Sequence, residues 1–311
     1  MADHRVTVVI VTRDRAADLD RTLSALTQLP ERPPVIVVDN GSSDGTGAVV
    51  ARYGPPVTLI RLPRNRGAAG RNHGVRLAAT PYVAFSDDDS WWAPGALAEA
   101  ADLLDRHPRV GLVAGRAVIG PRERVDPISV LMARSPLEPV PGIPTPSVLG
   151  FMACASVVRR EAFLAVGGFD ELFGIGSEER LLAYDLAAAG WVLTYADQAV
   201  AKHHPAERDR ATRRLIAERN DLWIDAMRRP PRVVAARVAA LARAAVTDRQ
   251  ARWVLAHALL ATPAVVRRRR TVPEAVEADI RRLEAADSRP VGGLRLVEEP
   301  QQRSVARRYV G

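Results

Sequence analysis

Short apolar, β-branched runs alternate with amphipathic stretches over the first 115 residues. Val6-Thr7-Val8-Val9-Ile10-Val11 offers no polar face, the mark of a strand buried on both sides. Leu19, Leu23, Leu26 and Leu29 follow at three- and four-residue spacing, which predicts a helix. The alternation then repeats. Val35–Val38, Val57–Ile60, Tyr82–Phe85 and Val110–Val113 read as strands. Between them are helices capped by Asp44 and ending near Tyr53, spanning Gly70–Ala79, and running from a first turn at Pro94 to near Arg106. Such alternation needs crossover connections. The expected class is α/β, a mainly parallel twisted sheet flanked by helices.

Periodicity fades over residues 120–147, which are rich in proline and read as a long irregular binding loop. Regular structure resumes at Val148, with a helix over Ser177–Ala189 and a strand at Trp191–Tyr195. From Pro205 to Ala286 the pattern is helical, with breaks at Pro230-Pro231, Pro263 and Pro273, and the last 25 residues resemble a tail.

Ligands of parallel sheets bind beyond the carboxyl ends of the strands. Polar clusters stand at those ends: Thr12-Arg13-Asp14, Asp39-Asn40 and Asp87-Asp88-Asp89. Three adjacent carboxylates repel one another unless a cation neutralises them, and hard oxygen donors suit Mg²⁺ or Mn²⁺. In extended backbone Asp87 and Asp89 point the same way, a two-carboxylate grip. The triplet also reads as a solvated acidic turn before the next helix. Asp39-Asn40-Gly41-Ser42-Ser43-Asp44-Gly45-Thr46 reads as a tight turn whose Asp39 can accept from a base N–H or a ribose hydroxyl.

Composition narrows the classes. At 311 residues, 47% hydrophobic and 26% charged, the chain can bury a sizeable core, which excludes a disordered, collagen-like or coiled-coil protein. The one cysteine, Cys154, excludes an internal disulfide and a zinc or iron–sulfur centre built on cysteines, and reads as a small buried hydrophobe. No apolar run is long enough to span a membrane, and the N-terminus lacks a cleavage-site pattern, so a cytoplasmic location is expected. Residues 1–200 carry 20 Arg and Lys against 23 Asp and Glu, whereas residues 201–311 carry 24 against 13. Lys202 is the lone lysine, so arginine-rich composition by itself accounts for much of this basic surface. Arg267–Arg270 follow the apolar helical stretches Val233–Leu241 and Val254–Leu260, which makes an anionic membrane surface, at the inner face of the plasma membrane, a candidate partner. No nucleic-acid-binding module is recognisable, so no nucleic acid is expected.

Five motifs in order carry a resemblance. They are Val9-Ile10-Val11-Thr12-Arg13-Asp14-Arg15, the segment from Val35 to Thr46, Asn65-Arg66-Gly67-Ala68-Ala69-Gly70-Arg71-Asn72, Asp87-Asp88-Asp89, and Gly167-Gly168-Phe169-Asp170-Glu171 followed by Glu178-Glu179. Together, over roughly residues 5–225, the chain resembles family 2 glycosyltransferases of the GT-A (nucleotide-diphospho-sugar transferase) fold. The resemblance implies hexosyl or deoxyhexosyl transfer from a nucleoside-diphosphate sugar to an acceptor hydroxyl, with inversion by single displacement. The acceptor stays open among glycan, lipid carrier and small molecule. A divalent ion, Mn²⁺ or Mg²⁺, would sit on Asp87 and Asp89, with His203 (or its neighbour His204) as a further ligand. Thr12, Asp14, Asp39, Arg71 and Asp88 would hold the nucleotide. Glu179 would be the base, with Glu178 beside it, although acids also favour the first turn of any helix. The family's further Asp and Arg on that helix are replaced here by Leu181 and Asp185. Trp91-Trp92 could stack on a sugar or anchor the core.

The expected organisation is a GT-A domain over residues 1–228, with a nucleotide-binding half at 1–118 and an acceptor half at 119–228. A helical basic extension at 229–286 and a flexible tail at 287–311 complete it. A sugar-phosphate nucleotidyltransferase is an alternative, but Thr12–Arg15 lacks the glycine-rich phosphate loop that follows its first strand. P-loop and dinucleotide fingerprints are absent as well. A non-catalytic membrane- or anion-binding protein on the same fold is the other alternative.

Overall fold

The computed structural model describes residues 5–205 and 210–287; most of the expected tail, 288–311, lies outside the described residues. Strands β1 (Val6–Thr12), β2 (Val35–Asp39), β3 (Val57–Arg61) and β4 (Tyr82–Asp87) form a parallel half-sheet in the order β3-β2-β1-β4. The crossover helices are α1 (Ala16–Thr27), α2 (Thr46–Tyr53) and α3 (Arg71–Leu77). The leucine stripe of α1 behaves as its spacing requires: Leu19, Leu23 and Leu26 are fully buried on the sheet. Each such leucine contributes about 1.5–3 kcal/mol. Asp44 is not the residue that flanks α2, since Gly45 holds that place. Its carboxylate instead accepts the Ala16 and Thr46 N–H groups, each at 3.0 Å, and ties the starts of α1 and α2 together.

Beyond β4 the sheet is mixed. It continues through β8 (Ser156–Arg159), β6 (Val110–Ile119), β9 (Val192–His203) and β5 (Ser90–Trp92). β6 and β9 are parallel, but β8 lies antiparallel between β4 and β6, and β5 is antiparallel to β9. A short β7 (Arg124–Val125) pairs with β6. Helix α4 (Ala96–Arg106) begins two residues beyond Pro94. Gly95 intervenes in the left-handed region (φ 85°), and its N–H reaches the Glu31 carboxylate at 2.7 Å. The expected irregular loop contains helix α5 (Pro127–Ala133), started by Asp126, whose side chain accepts the Ile128 N–H at 2.8 Å. Asp-Pro is a helix-start signal that the proline content of the segment obscured.

After α6 (Arg160–Val166) come α7 (Glu178–Ala188), α8 (Arg210–Arg228), α9 (Pro231–Ala244), α10 (Arg249–Leu260), α11 (Thr262–Arg267) and α12 (Glu274–Asp287). Breaks fall at the expected prolines, and a further one, between α9 and α10, falls where no proline stands and Asp248 starts α10 by accepting the Gln250 N–H at 2.7 Å. A second apolar core joins α7 and α8 to the later helices through Phe173, Leu181, Trp223, Met227, Ile280 and Leu283. Both departures from the family pattern belong to this docking. Leu181 is buried in the second core, and Asp185 accepts from Arg228 Nε at 2.5 Å and Nη2 at 2.9 Å. Arg268 adds a pair with Asp170 at 2.9 Å. Removing one partner of the largely buried Arg228–Asp185 pair leaves the other uncompensated, so that contact helps fix where the helices sit.

Candidate active site

Asp87-Asp88-Asp89 form the turn from β4 into β5. Because β5 pairs with the end of β9, Ser90 lies opposite His203 and Trp91 opposite Lys202. That register carries the His203 imidazole to the acids, with Nε2 3.5 Å from Asp89 Oδ1. The Asp89 carbonyl also accepts the His204 N–H at 2.8 Å. Trp92 is buried in the core, and the Trp91 ring lies 4.7 Å from that of His204, so both tryptophans anchor the turn.

Arg15 meets the acids from the start of α1, 2.9 Å from Asp88 Oδ1 and 3.0 Å from Asp89 Oδ2. Thr12 Oγ1 donates to Asp88 Oδ2 at 3.0 Å, and Thr22 Oγ1 to the Asp88 carbonyl at 2.9 Å. Asp88 is thus held from several sides beneath the cleft. Burial pushes its carboxyl up to about 7 against the opposing charge of Arg15, and the Asp89 and Asp87 charges add to the rise. For His203, burial favours the neutral ring, but the hydrogen bond and charge of Asp89 outweigh it and the pKa is raised.

The buried Arg71 guanidinium pairs with Asp87 and lies over the Phe169 ring, 5.6 Å from its centroid. Glu178 and Glu179 open α7 after Ser177, which takes φ 63° to turn the chain into the helix. Glu178 is buried and its carboxylate accepts the Gly176 N–H, whereas Glu179 is partly exposed to the cleft. Burial pushes Glu178 up to about 8, with the Glu179 charge adding and Arg71 opposing. Glu179 is raised too, again chiefly by burial.

These side chains share one cleft of about 700 Å³, walled by Thr12, Arg71, Asp87, Asp88, Asp89, Glu178, Glu179 and His203. Asp14 and Asp39 are not among its walls. Asp39, paired in register with Thr12, is buried, accepts the Ser42 N–H at 2.8 Å and has Arg61 at 3.5 Å from its other oxygen. Asp14 sits at φ 51° and accepts the Ser43 N–H at 2.7 Å, the main reason its pKa is lowered. The two acids therefore brace the Asp39–Asp44 turn.

The donor set fits a divalent cation. Asp87, His203 and Cys154 each place a ligand atom within 4.8 Å of the others, and Arg15 and Arg71 oppose the triplet's charge from within the cleft. Carboxylate and imidazole donors suit Mn²⁺. Sequence reasoning missed Arg15, Asp126 and Arg213 as cleft residues, and it read Cys154 only as a core residue. Asp126 carried a usable signal in the following Pro127; Cys154 carried none.

Residues 7–167 match the family described as glycosyl transferase family 2. An N-acetylglucosaminyl-diphospho-decaprenol L-rhamnosyltransferase of Mycobacterium tuberculosis is 31% identical over 238 residues, covering 64% of this chain and 76% of the relative. A pre-mycofactocin glycosyltransferase of the same organism is 34% identical over 217 residues, covering 64% of this chain and 43% of its own. The mannosyltransferase PcManGT of Pyrobaculum calidifontis, solved with GDP-Man and Mn²⁺, superposes with a TM-score of 0.59 at 23% identity, over 91% of this chain and 86% of that one. GalNAc-T7, solved with UDP, GalNAc and Mn²⁺, does so at 0.56 and 13%, over 72% and 48%. At these identities the structural likeness speaks to the fold, which is GT-A.

Proposed function

The chain belongs to glycosyl transferase family 2 and is a glycosyltransferase; from that premise we propose that it transfers a sugar from a nucleoside-diphosphate donor with inversion, in one displacement, using Mn²⁺ or Mg²⁺. The observation that carries this reading is the cleft itself. It brings the acid triplet, His203 and the Glu178-Glu179 pair to one space, with Arg71 close enough to feel the charges of Asp87 and of both glutamates. Asp87, Asp89 and His203 present the cation's ligands. An ion held there would offset negative charge building on the departing diphosphate. Thr12, Arg71 and Asp88 line the nucleotide side, and Asp14 and Asp39 shape the turn that meets the nucleoside. Glu179 accepts the acceptor hydroxyl's proton as that oxygen bonds to the anomeric carbon and the diphosphate leaves with the electron pair. Glu178, held by the Gly176 N–H, sets the helix start that aims Glu179.

A thermal-shift panel of nucleoside diphosphates with and without Mn²⁺ tests the donor side. Saturation at a hundredfold Kd adds about 2.7 kcal/mol. One nucleotide is expected to raise Tm by several degrees, and more with Mn²⁺ present; no shift with any nucleotide removes the reading.

The rhamnosyltransferase relative is named for a diphospho-decaprenol acceptor. We extend this to a lipid-linked acceptor here, met at the cytoplasmic face of the plasma membrane. No described helix is long and apolar enough to cross a membrane. The extension instead offers a surface. Helix α9 buries none of its residues, and Val246, Leu259, Leu260 and Val266 are exposed around it. Residues 231–270 hold nine arginines against the single acid Asp248, a charge that complements anionic lipid. The protein is expected to sediment with phosphatidylglycerol vesicles at low salt, less so as salt rises, and not when Val246→Glu and Leu260→Glu are combined. Absence of wild-type binding at low salt refutes the membrane surface.

A further inference from the structure

Cys154 is the chain's only cysteine, and the fold does not use it merely as filler. It lies in the short 3-10 turn Ala153–Ala155 that leads into β8, packed beside β4 and β9. The turn delivers its sulfur into the acid cleft: Sγ, an Asp87 carboxylate oxygen and a His203 ring nitrogen all lie within 4.8 Å of one another. The residue is 5% exposed, and the cleft is the space it borders. Three residues from three different parts of the chain thus present oxygen, nitrogen and sulfur to one point. Asp89, a ligand in the proposed function, lies beside this set, 3.5 Å from His203 Nε2.

We propose that Cys154 is a ligand of the donor-site cation together with Asp87 and His203, so that the site takes thiophilic divalent ions, Zn²⁺ or Co²⁺, in preference to Mg²⁺. The inference rests on the proposed function, which puts a divalent ion in this cleft. Mg²⁺ seeks oxygen donors and parts reluctantly with water, whereas a thiolate stabilises softer ions. On coordination the metal–sulfur bond forms, a metal-bound water leaves, and the thiol proton passes to solvent. One cysteine among these donors also changes what the composition excluded. It cannot build a cysteine-based centre, but it can complete a mixed one.

Titration of the full chain with Co²⁺ alone tests this, followed by near-ultraviolet absorption and calorimetry. The expected result is one Co²⁺ bound with a sulfur-to-cobalt charge-transfer band, which only Cys154 can supply as a thiolate. In Cys154→Ser the band disappears and Zn²⁺ affinity falls at least tenfold, while Mg²⁺ affinity stays within twofold. Cys154→Ala serves as the second variant, and melting curves establish that each is folded. Co²⁺ binding in the cleft without the band, or unchanged Zn²⁺ affinity in both folded variants, overturns the sulfur ligand and leaves the proposed function standing. Absence of any Co²⁺ or Mn²⁺ binding by calorimetry, with or without UDP and GDP, overturns both.

Discussion

Glu179→Gln lowers kcat by about 10²–10⁴-fold, the usual worth of a positioned general base, while nucleotide affinity by calorimetry stays within twofold. The amide keeps the size of the side chain but cannot accept the proton. Glu179 rather than its neighbour is the candidate because it is the partly exposed member of the pair, whereas Glu178 is buried and engaged by the Gly176 N–H. Glu178→Gln is therefore expected to cost less in kcat. If it costs more, the base lies one residue earlier. The pH profile follows the same logic. Burial raises the Glu179 pKa, and the base must be ionised to act. Activity is accordingly lost as pH falls through a value above the ordinary glutamate range of about 4.3, and a profile flat down to that range contradicts the assignment.

Asp89→Ala is expected to reduce kcat/KM by at least about 10³-fold, roughly 4 kcal/mol of transition-state stabilisation, at saturating Mn²⁺. The variant should still melt close to the wild-type temperature. Arg15, the partner it loses, keeps Asp88 at 2.9 Å and Asp18 at 2.7 Å, so no guanidinium is stranded. His203 loses the contact that favours its charged form. Full turnover by this variant, or by wild type in excess chelator, refutes the cation's role; a collapsed melting temperature places Asp89 in folding instead.

Much of the architecture of the first half of the chain was legible from local pattern. β1, β2 and β4 are largely apolar runs, and each ends at or beside a polar cluster read as chemistry, whereas the more exposed β3 carries none. The remainder was less legible because its signals are short or ambiguous. β5 has three residues and β8 four, too few for periodicity to register. Trp91-Trp92 offered a sugar platform or, the commoner fate of aromatics, a core anchor, and the pairing of β5 with β9 separates the two. Leu181 and Asp185 looked like losses from a catalytic helix; they are the attachment points of the C-terminal helices.

Sequence alone determined the alternation of strand and helix, the acids at strand ends, the proline breaks of the extension and the family, because each is written in neighbouring residues through local propensity and patterning. Tertiary structure alone decided that His203 reaches Asp89, that Cys154 and Asp126 line the cleft, and that Arg71 comes near both Asp87 and the glutamate pair. Those meetings depend on strand register and on the antiparallel entry of β8 between β4 and β6. Register is settled by how whole buried faces pack together, a property spread over residues far apart in the chain.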